Sequence, residues 1–580
     1  MQNIFNQISR KKVNFDHPDQ HKLHRVLGVR DLTLFGIAAI LGAGSFSSLG
    51  GAVFSGGPGV IILFVIVAVA CGFTALCYSE FASRIPVAGS AYTYAYASFG
   101  EIFAWLIGWA LLMEYSIGNI YVAFSWSDYF TSFLDKCGIA IPAYLCTSFV
   151  EAKKAVLAGS NNAELQTAWH QAPMLGSLRI ILDLPAIAIN LIITWLVFRG
   201  IKESRNFSNA MVIIKMAVVI LVILVGGFLV FKLGQTDNWF PAGQDGAPTF
   251  MPNGFGGVMM AVSGVFFAYI GFDAVSVLAE ESKDPQRDLP RGMLWSLVIC
   301  TVVYILLSLV LTGAVHYKKF DGVGDPLAFI FEKDNLNVGW MQFLVAICAV
   351  VAMSSVLLVF QMGQPRIWMS MSRDGLLPKK FQEIHPKYKT PKFATILTGL
   401  VVGVPLLFTD KTFVLDFTSI GTLFAFVLVC GGVLLIPARE KTKNRFHLPK
   451  WNSKYVFPVI VLFTAILVAI QFPNYFTDLF QFSLPSSAAA GLTESALEDK
   501  LIALRTYNIS SLIFWTLCLV FSIQAFRKNW SLIPLLGLTS CLYLLTGMTA
   551  NNWMWFFAWF GIGLVIYFTY SRKHSKLATA

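Results

Sequence analysis

Two stretches of this chain combine glycine with groups suited to holding charge. Ile40-Leu41-Gly42-Ala43-Gly44-Ser45-Phe46 sets two glycines two residues apart inside an apolar run. Phe266-Phe267-Ala268-Tyr269-Ile270-Gly271-Phe272-Asp273 sets a glycine among aromatics and follows it with a carboxylate. Glycine lowers helix propensity and lets a backbone unwind where a ligand approaches it closely. The N–H groups freed at the start of a half-helix hold a carboxylate, helped by the helix dipole. Small residues also serve close helix packing, so Gly42 and Gly44 alone leave both readings open. The second stretch, with its buried acid, is not ordinary packing.

Three ionisable residues fall deep in apolar segments: Glu114, Lys215 and Asp273. Each costs roughly 2.5–3.5 kcal/mol at a helix centre in a bilayer, so each marks a functional site by default. From the 1.5 Å helical rise, Lys215 and Asp273 lie about 12 Å and about 10 Å from the cytoplasmic ends of their segments, a similar depth. Glu114 lies about 20 Å in. Burial lowers a lysine pKa and a nearby carboxylate raises it, so Lys215 can change charge as a site opens and closes. That is what proton coupling requires. A permanent lysine–carboxylate pair fixing the packing is the structural alternative.

The elements that must position these residues are apolar helices. The chain has 580 residues, 56% hydrophobic and 13% charged, against roughly 25% charge in soluble domains. Fourteen apolar segments run near 32–54, 60–82, 101–131, 180–199, 207–232, 254–279, 292–315, 340–369, 393–408, 413–437, 455–472, 508–526, 531–547 and 553–570. The expectation is an all-α integral membrane protein of about fourteen transmembrane helices. The two breaks fall in the first and sixth segments, equivalent positions of two five-helix halves, 32–232 and 254–437. Paired interruptions of this kind point to a transporter's binding site. Residues 438–571 supply four further helices, with polar tails at 1–31 and 572–580. With the N-terminus inside, cytoplasmic segments carry 31 Lys and Arg and outside loops 11. This obeys the positive-inside rule and places both termini in the cytoplasm. The net charge of +11 therefore needs no nucleic acid.

Other chemistry finds no support. The eight histidines are scattered, and none of the nine cysteines has zinc-site spacing. Cys137 and Cys146 share one outside loop, where a disulfide is permitted. His-Glu-x-x-His, Gly-x-Ser-x-Gly and P-loop patterns do not occur, so neither an enzyme nor a cofactor is expected. A channel needs a continuous polar pore, which three deep charges do not build.

Several motifs in order resemble the amino acid–polyamine–organocation superfamily, and within it the cationic amino acid transporter family with its bacterial members. They are Leu27-Gly28-Val29-Arg30-Asp31-Leu32-Thr33, Gly42-Ala43-Gly44, the run from Ile85 to Tyr96, Phe266 to Asp273, Asp284 to Pro290, and Gly363-Gln364-Pro365-Arg366. The run Trp553 to Ser575 also looks like this family's end. The resemblance implies a leucine-transporter-type core of two inverted five-helix repeats plus the four C-terminal helices. It implies that an α-carboxylate meets Gly42, Ala43, Gly44 and Ser45, and that an amino group meets carbonyls around Phe267, Ala268 and Ile270. Lys215 matches the lysine that replaces a sodium site in proton-coupled relatives, while Ser354 and Ser355 lie where sodium-coupled relatives place ligands. Glu114, Asp273 and Tyr269 join Lys215 as candidate coupling groups. Ser45 stands where relatives commonly carry isoleucine. Phe360 falls at a pocket-lining position, where a bulky ring shrinks the pocket; packing between helices is its alternative role.

The expected function is amino acid import across the cytoplasmic membrane by alternating access. Protons are favoured over sodium, and small neutral substrates slightly over cationic ones. An obligate exchanger or a non-transporting sensor is the alternative. The expected partners are the substrate, protons and the lipid bilayer, with no obligate protein partner.

Overall fold

A computed structural model describes residues 27–42, 44–85, 90–157, 162–176, 178–200, 205–243, 246–279, 282–388, 390–436, 445–483 and 494–576. Each of the fourteen apolar segments contains helix. The first is α1 (Val29–Ile40) and α2 (Leu49–Gly56), joined through a π-helical turn at Gly44–Ser48. A Gly57-Pro58-Gly59 turn, with φ +59° at Gly57, leads into α3 (Val60–Arg84). A shorter helix that hydropathy did not show, α4 (Ser90–Ser98), precedes the long α5 (Glu101–Lys136). The following insertion carries α6 (Phe149–Leu157) and α7 (Ala163–Gln171), then α8 (Leu184–Arg199) and α9 (Arg205–Lys232).

The second half opens with α10 (Gly254–Met260) and α11 (Val262–Phe267), then a turn and a 3₁₀ segment at Phe272–Leu278. It continues with α12 (Pro285–Ala314), α13 (Gly339–Arg373), α14 (Lys392–Gly403) and α15 (Lys411–Leu435). Four helices remain: α16 (Val456–Gln471), α17 (Glu494–Lys528), α18 (Leu532–Leu545) and α19 (Ala550–Ile566). α17 and α18 are joined by a tight turn through Asn529 and Trp530, with Asn529 at φ +49°.

Among the described residues, eight helical runs are long and apolar enough to cross a membrane, or nine if the pair bent by 44° at Ala261 counts as one span. Four more apolar helices are shorter, among them α8 and the truncated ninth segment. Exposed apolar side chains such as Leu191, Trp195, Leu224, Phe228, Leu462 and Phe463 cover the flanks, a surface suited to lipid rather than water.

Packing is ordered. α3 lies against α12, α5 against α13, and α8 against α14. α1 also packs on α12, and α18 on α15 and α3. α16 touches mainly α17 and buries little but Phe457. The nine cysteines are free thiols, so the permitted Cys137–Cys146 bond is not formed.

Candidate substrate and coupling site

The first break is built by glycine. α1 ends at Ile40, where Leu41 (ψ 78°) leaves helical geometry. The Gly42 carbonyl then accepts from Ser45 N at 3.1 Å, Phe46 N at 3.2 Å and the Ser45 hydroxyl at 3.0 Å. Ser45 thus ties off the break on itself. Ala43 lies outside the described residues. The Ser48 hydroxyl reaches the carbonyls of Gly44 at 2.8 Å and Gly264 at 2.9 Å.

The sixth segment breaks twice. The sequence pointed to Gly271, and the α-helical ladder does stop between Ala268 and Gly271. A further 44° bend sits at Ala261. The two broken segments then meet backbone to backbone. A Cβ on Gly44 would stand 2.6 Å from Ala268 Cα, and one on Gly271 would stand 2.9 Å from the Ala39 carbonyl carbon. Gly271 also needs φ +116°, a region closed to bulkier residues. Phe267 packs edge-on against Tyr121 with centroids 4.6 Å apart. The Phe267 carbonyl accepts from Ile270 N at 3.1 Å.

One side chain ties the breaks together. The buried Tyr304 hydroxyl on α12 lies 2.9 Å from the Ile40 carbonyl oxygen and 2.7 Å from that of Ala268. These oxygens close the two helical halves at the site. The sequence reading missed this residue; a tyrosine mid-way along an apolar helix, far from either interface, was its signal. Tyr269 packs edge-on against Tyr304, and its hydroxyl donates to the Phe64 carbonyl at 3.0 Å.

Lys215 is 3% exposed, and its ammonium donates to Ser355 Oγ at 2.6 Å. The neighbouring Ser354 hydroxyl takes the Trp126 indole N–H at 2.8 Å. Lys215 and Ser355 border a cavity of about 20 Å³ with Ala38, Ala39 and Phe360, room for about one water. Asp273 and Glu114 lie within electrostatic reach of one another, and Lys215 reaches Ser355. Asp273 is held by backbone amides near Gly271 and Ala274, and Glu114 sits against Thr422. The Phe360 ring packs on Tyr115 at 5.4 Å and over Gly118, and it borders the small cavity beside Lys215.

A cavity of about 740 Å³ opens on the face carrying the α6–α7 insertion. Ser47, Ser48, Gly264 and Tyr121 line its inner part. Lys411 bonds Asp128 there and lies 5.7 Å over the Tyr121 ring. Lys154 pairs with Asp410 at 2.7 Å and pins the insertion to the core. The other charged lining groups are mostly acids. Burial raises the Glu151 carboxyl to about 7, and the Asp128 charge adds to this. Burial likewise raises Asp325 to about 7, with Glu332 adding repulsion.

Apolar helices whose broken middles meet around buried charge are the architecture of a multi-pass membrane permease. Residues 27–491 match the amino acid permease family, and residues 532–575 match the C-terminal segment of amino acid permeases. The chain belongs to the amino acid permease family, whose members are transporters and not enzymes. It is 35% identical to a branched-chain amino acid permease of Bacillus subtilis (strain 168), covering 96% of this chain and 95% of that one. A methylthioribose transporter of the same organism is 34% identical over 96% and 95%. A vacuolar cationic amino acid transporter of Arabidopsis thaliana is 30% identical over 99% and 93%.

Proposed function

We propose that this protein imports L-amino acids across the cytoplasmic membrane by alternating access, coupled to protons. The observation that carries the reading is the meeting of two unwound backbones at Gly44 and Ala268. Unwound backbone inside a membrane is tolerated where it is buried in protein or lines a cavity. The turn at Gly42, Gly44 and Ser45 is the proposed seat of an α-carboxylate, reached when the Gly42 and Ser45 N–H groups release the Ile40 and Gly42 carbonyls, and carbonyls around Phe267, Ala268 and Ile270 suit an ammonium. The pairing of α3 with α12, α5 with α13 and α8 with α14 supports two inverted repeats, since each pair joins equivalent helices of the two halves. The fourteen apolar segments support fourteen crossings, and the lysine and arginine distribution supports both termini in the cytoplasm. The insertion face is then outside.

Lys215 is the proposed proton carrier. Its ammonium occupies the Ser355 hydroxyl, and a sodium ion there would meet that positive charge whenever Lys215 is protonated. Glu114, Asp273 and Tyr269 are proposed as the surrounding polar relay, with Glu114 and Asp273 sharing one field. The Phe360 ring against Tyr115 supports small neutral side chains slightly over cationic ones. The Bacillus relative is named for branched-chain amino acids, which are neutral.

The test is uptake into proteoliposomes from a panel of labelled amino acids under an imposed pH gradient. A proton falling through about 100 mV, or through the equivalent pH difference of about 1.7 units, sustains on the order of fifty-fold accumulation. Wild-type protein should approach this, and Lys215→Ala should fall toward equal concentrations while still exchanging substrate. Accumulation that ignores the proton gradient and survives Lys215→Ala would overturn the coupling.

A further inference from the structure

Residues 567–576 are tied into the face opposite the insertion. After α19, a π-helical turn at Tyr567–Ser571 brings residues 572–576 back against the core. Glu101, 1% exposed at the start of α5, accepts from Ser575 Oγ at 2.6 Å, from the Tyr567 hydroxyl at 3.2 Å and from the Tyr96 hydroxyl at 3.4 Å. In the turn after α13, the Asp374 carbonyl accepts from Lys576 N at 3.1 Å, and the Leu376 carbonyl from Ser571 Oγ at 2.6 Å. A Cβ on Gly375 would stand 2.2 Å from the His574 carbonyl oxygen, so the tail seats directly on that turn. Ser571 and Ser575 are fully buried.

The same two acids hold α4. Tyr92 donates to the Asp374 carboxylate at 2.7 Å, while Tyr96 reaches Glu101. Between them in sequence, Tyr94 points elsewhere: it stacks on Phe81 at 5.0 Å, packs on Tyr78, and lies in the field of Asp273. α4 also packs against the 3₁₀ segment that carries Asp273. Residues spaced by two on a helix cannot share one face, so α4 presents one side to the tail's anchors and another to the broken sixth segment.

We propose that the C-terminal segment Tyr567–Lys576 is an intramolecular strap that holds α4 closed beneath the site. It acts through Glu101 and Asp374 and restrains opening toward the face that carries the tail. Hydrogen bonds to a buried carboxylate are strong because one partner is charged. Losing them frees α4 before it disturbs the rest of the core. The strap goes beyond the transport reading, and the test does not depend on which molecule is carried.

Amide hydrogen exchange of the purified full chain is compared with Ser575→Ala and with the chain ending at Ser571. Loss of charge-assisted bonds should speed exchange of residues 90–98 and 272–278 by about tenfold or more. Residues 532–545, on the far side of α15, should stay within about twofold. Unchanged exchange at 90–98 in the shortened chain overturns the proposal, as does a uniform rise across the molecule, which would make the tail a general stabiliser. If the shortened chain does not fold, Ser575→Ala decides by the same two readings. Failure of amino acid uptake by the wild type would sink the transport reading and leave this result standing.

Discussion

At the scale of single residues, the site depends on polar groups that close off interrupted backbone. Tyr304 offers one proton to two carbonyl oxygens, those of Ile40 and Ala268. Leaving a buried carbonyl without its donor costs about 1–3 kcal/mol. Tyr304→Phe keeps the ring within its Phe64 and Tyr269 neighbours, so the protein should fold while uptake falls by about tenfold, read from initial rates in proteoliposomes. Phe360 makes a different prediction. Its ring fills the space between Tyr115, Gly118 and the Lys215 cavity. Phe360→Ala should raise uptake of large neutral side chains relative to alanine by about tenfold, the scale of a few methylene contacts. An unchanged substrate ranking would make Phe360 a packing residue alone.

At the scale of elements, the first and sixth segments work because their breaks interlock. The breaks were legible from glycine spacing and from a carboxylate inside an apolar run. Their partners were not. Which backbone lies against Gly44 is a property of how α2 and α11 cross, and no local pattern encodes it. Gly44→Ala brings a methyl within 2.6 Å of the Ala268 backbone, which cannot turn away as a side chain would. Overpacking of this kind costs about 1–3 kcal/mol, so the variant should melt lower in detergent and lose uptake. Gly51, with open space around it, is the matched control and should accept alanine with little change. The second bend at Ala261 escaped sequence reading because neither glycine nor proline marks it.

At the scale of the whole molecule, the two faces carry different charge chemistry. The insertion face gathers carboxyls around its cavity, and burial lifts Glu151 and Asp325 to about 7. Their ordinary values are 4.5 and 3.8, so between those values and about 7 the folded protein binds more protons than the unfolded chain. Stability must therefore fall as pH rises through that window and level off above it. Melting temperature in detergent should decline from pH 5 to pH 7.5, and Glu151→Gln should flatten part of the decline. A stability that rises over this range would show that these carboxyls are ionised and well paired.

Amino acid composition and apolar run length determined that the chain lives in lipid, because 13% charge cannot cover a soluble surface of this size. Glycine and buried charge marked where its backbone is interrupted, and ordered motifs pointed to amino acids. These are local properties, carried by residues near one another in the chain. The tertiary structure decided the rest: that Tyr304 bridges both breaks, that Lys215 sits on Ser355 while Asp273 neighbours Glu114, and that the last ten described residues return to Glu101 and Asp374. Each of those contacts joins residues tens to hundreds of positions apart. Helical rise sets how deep a residue lies, but only packing around the bundle sets which residue it faces.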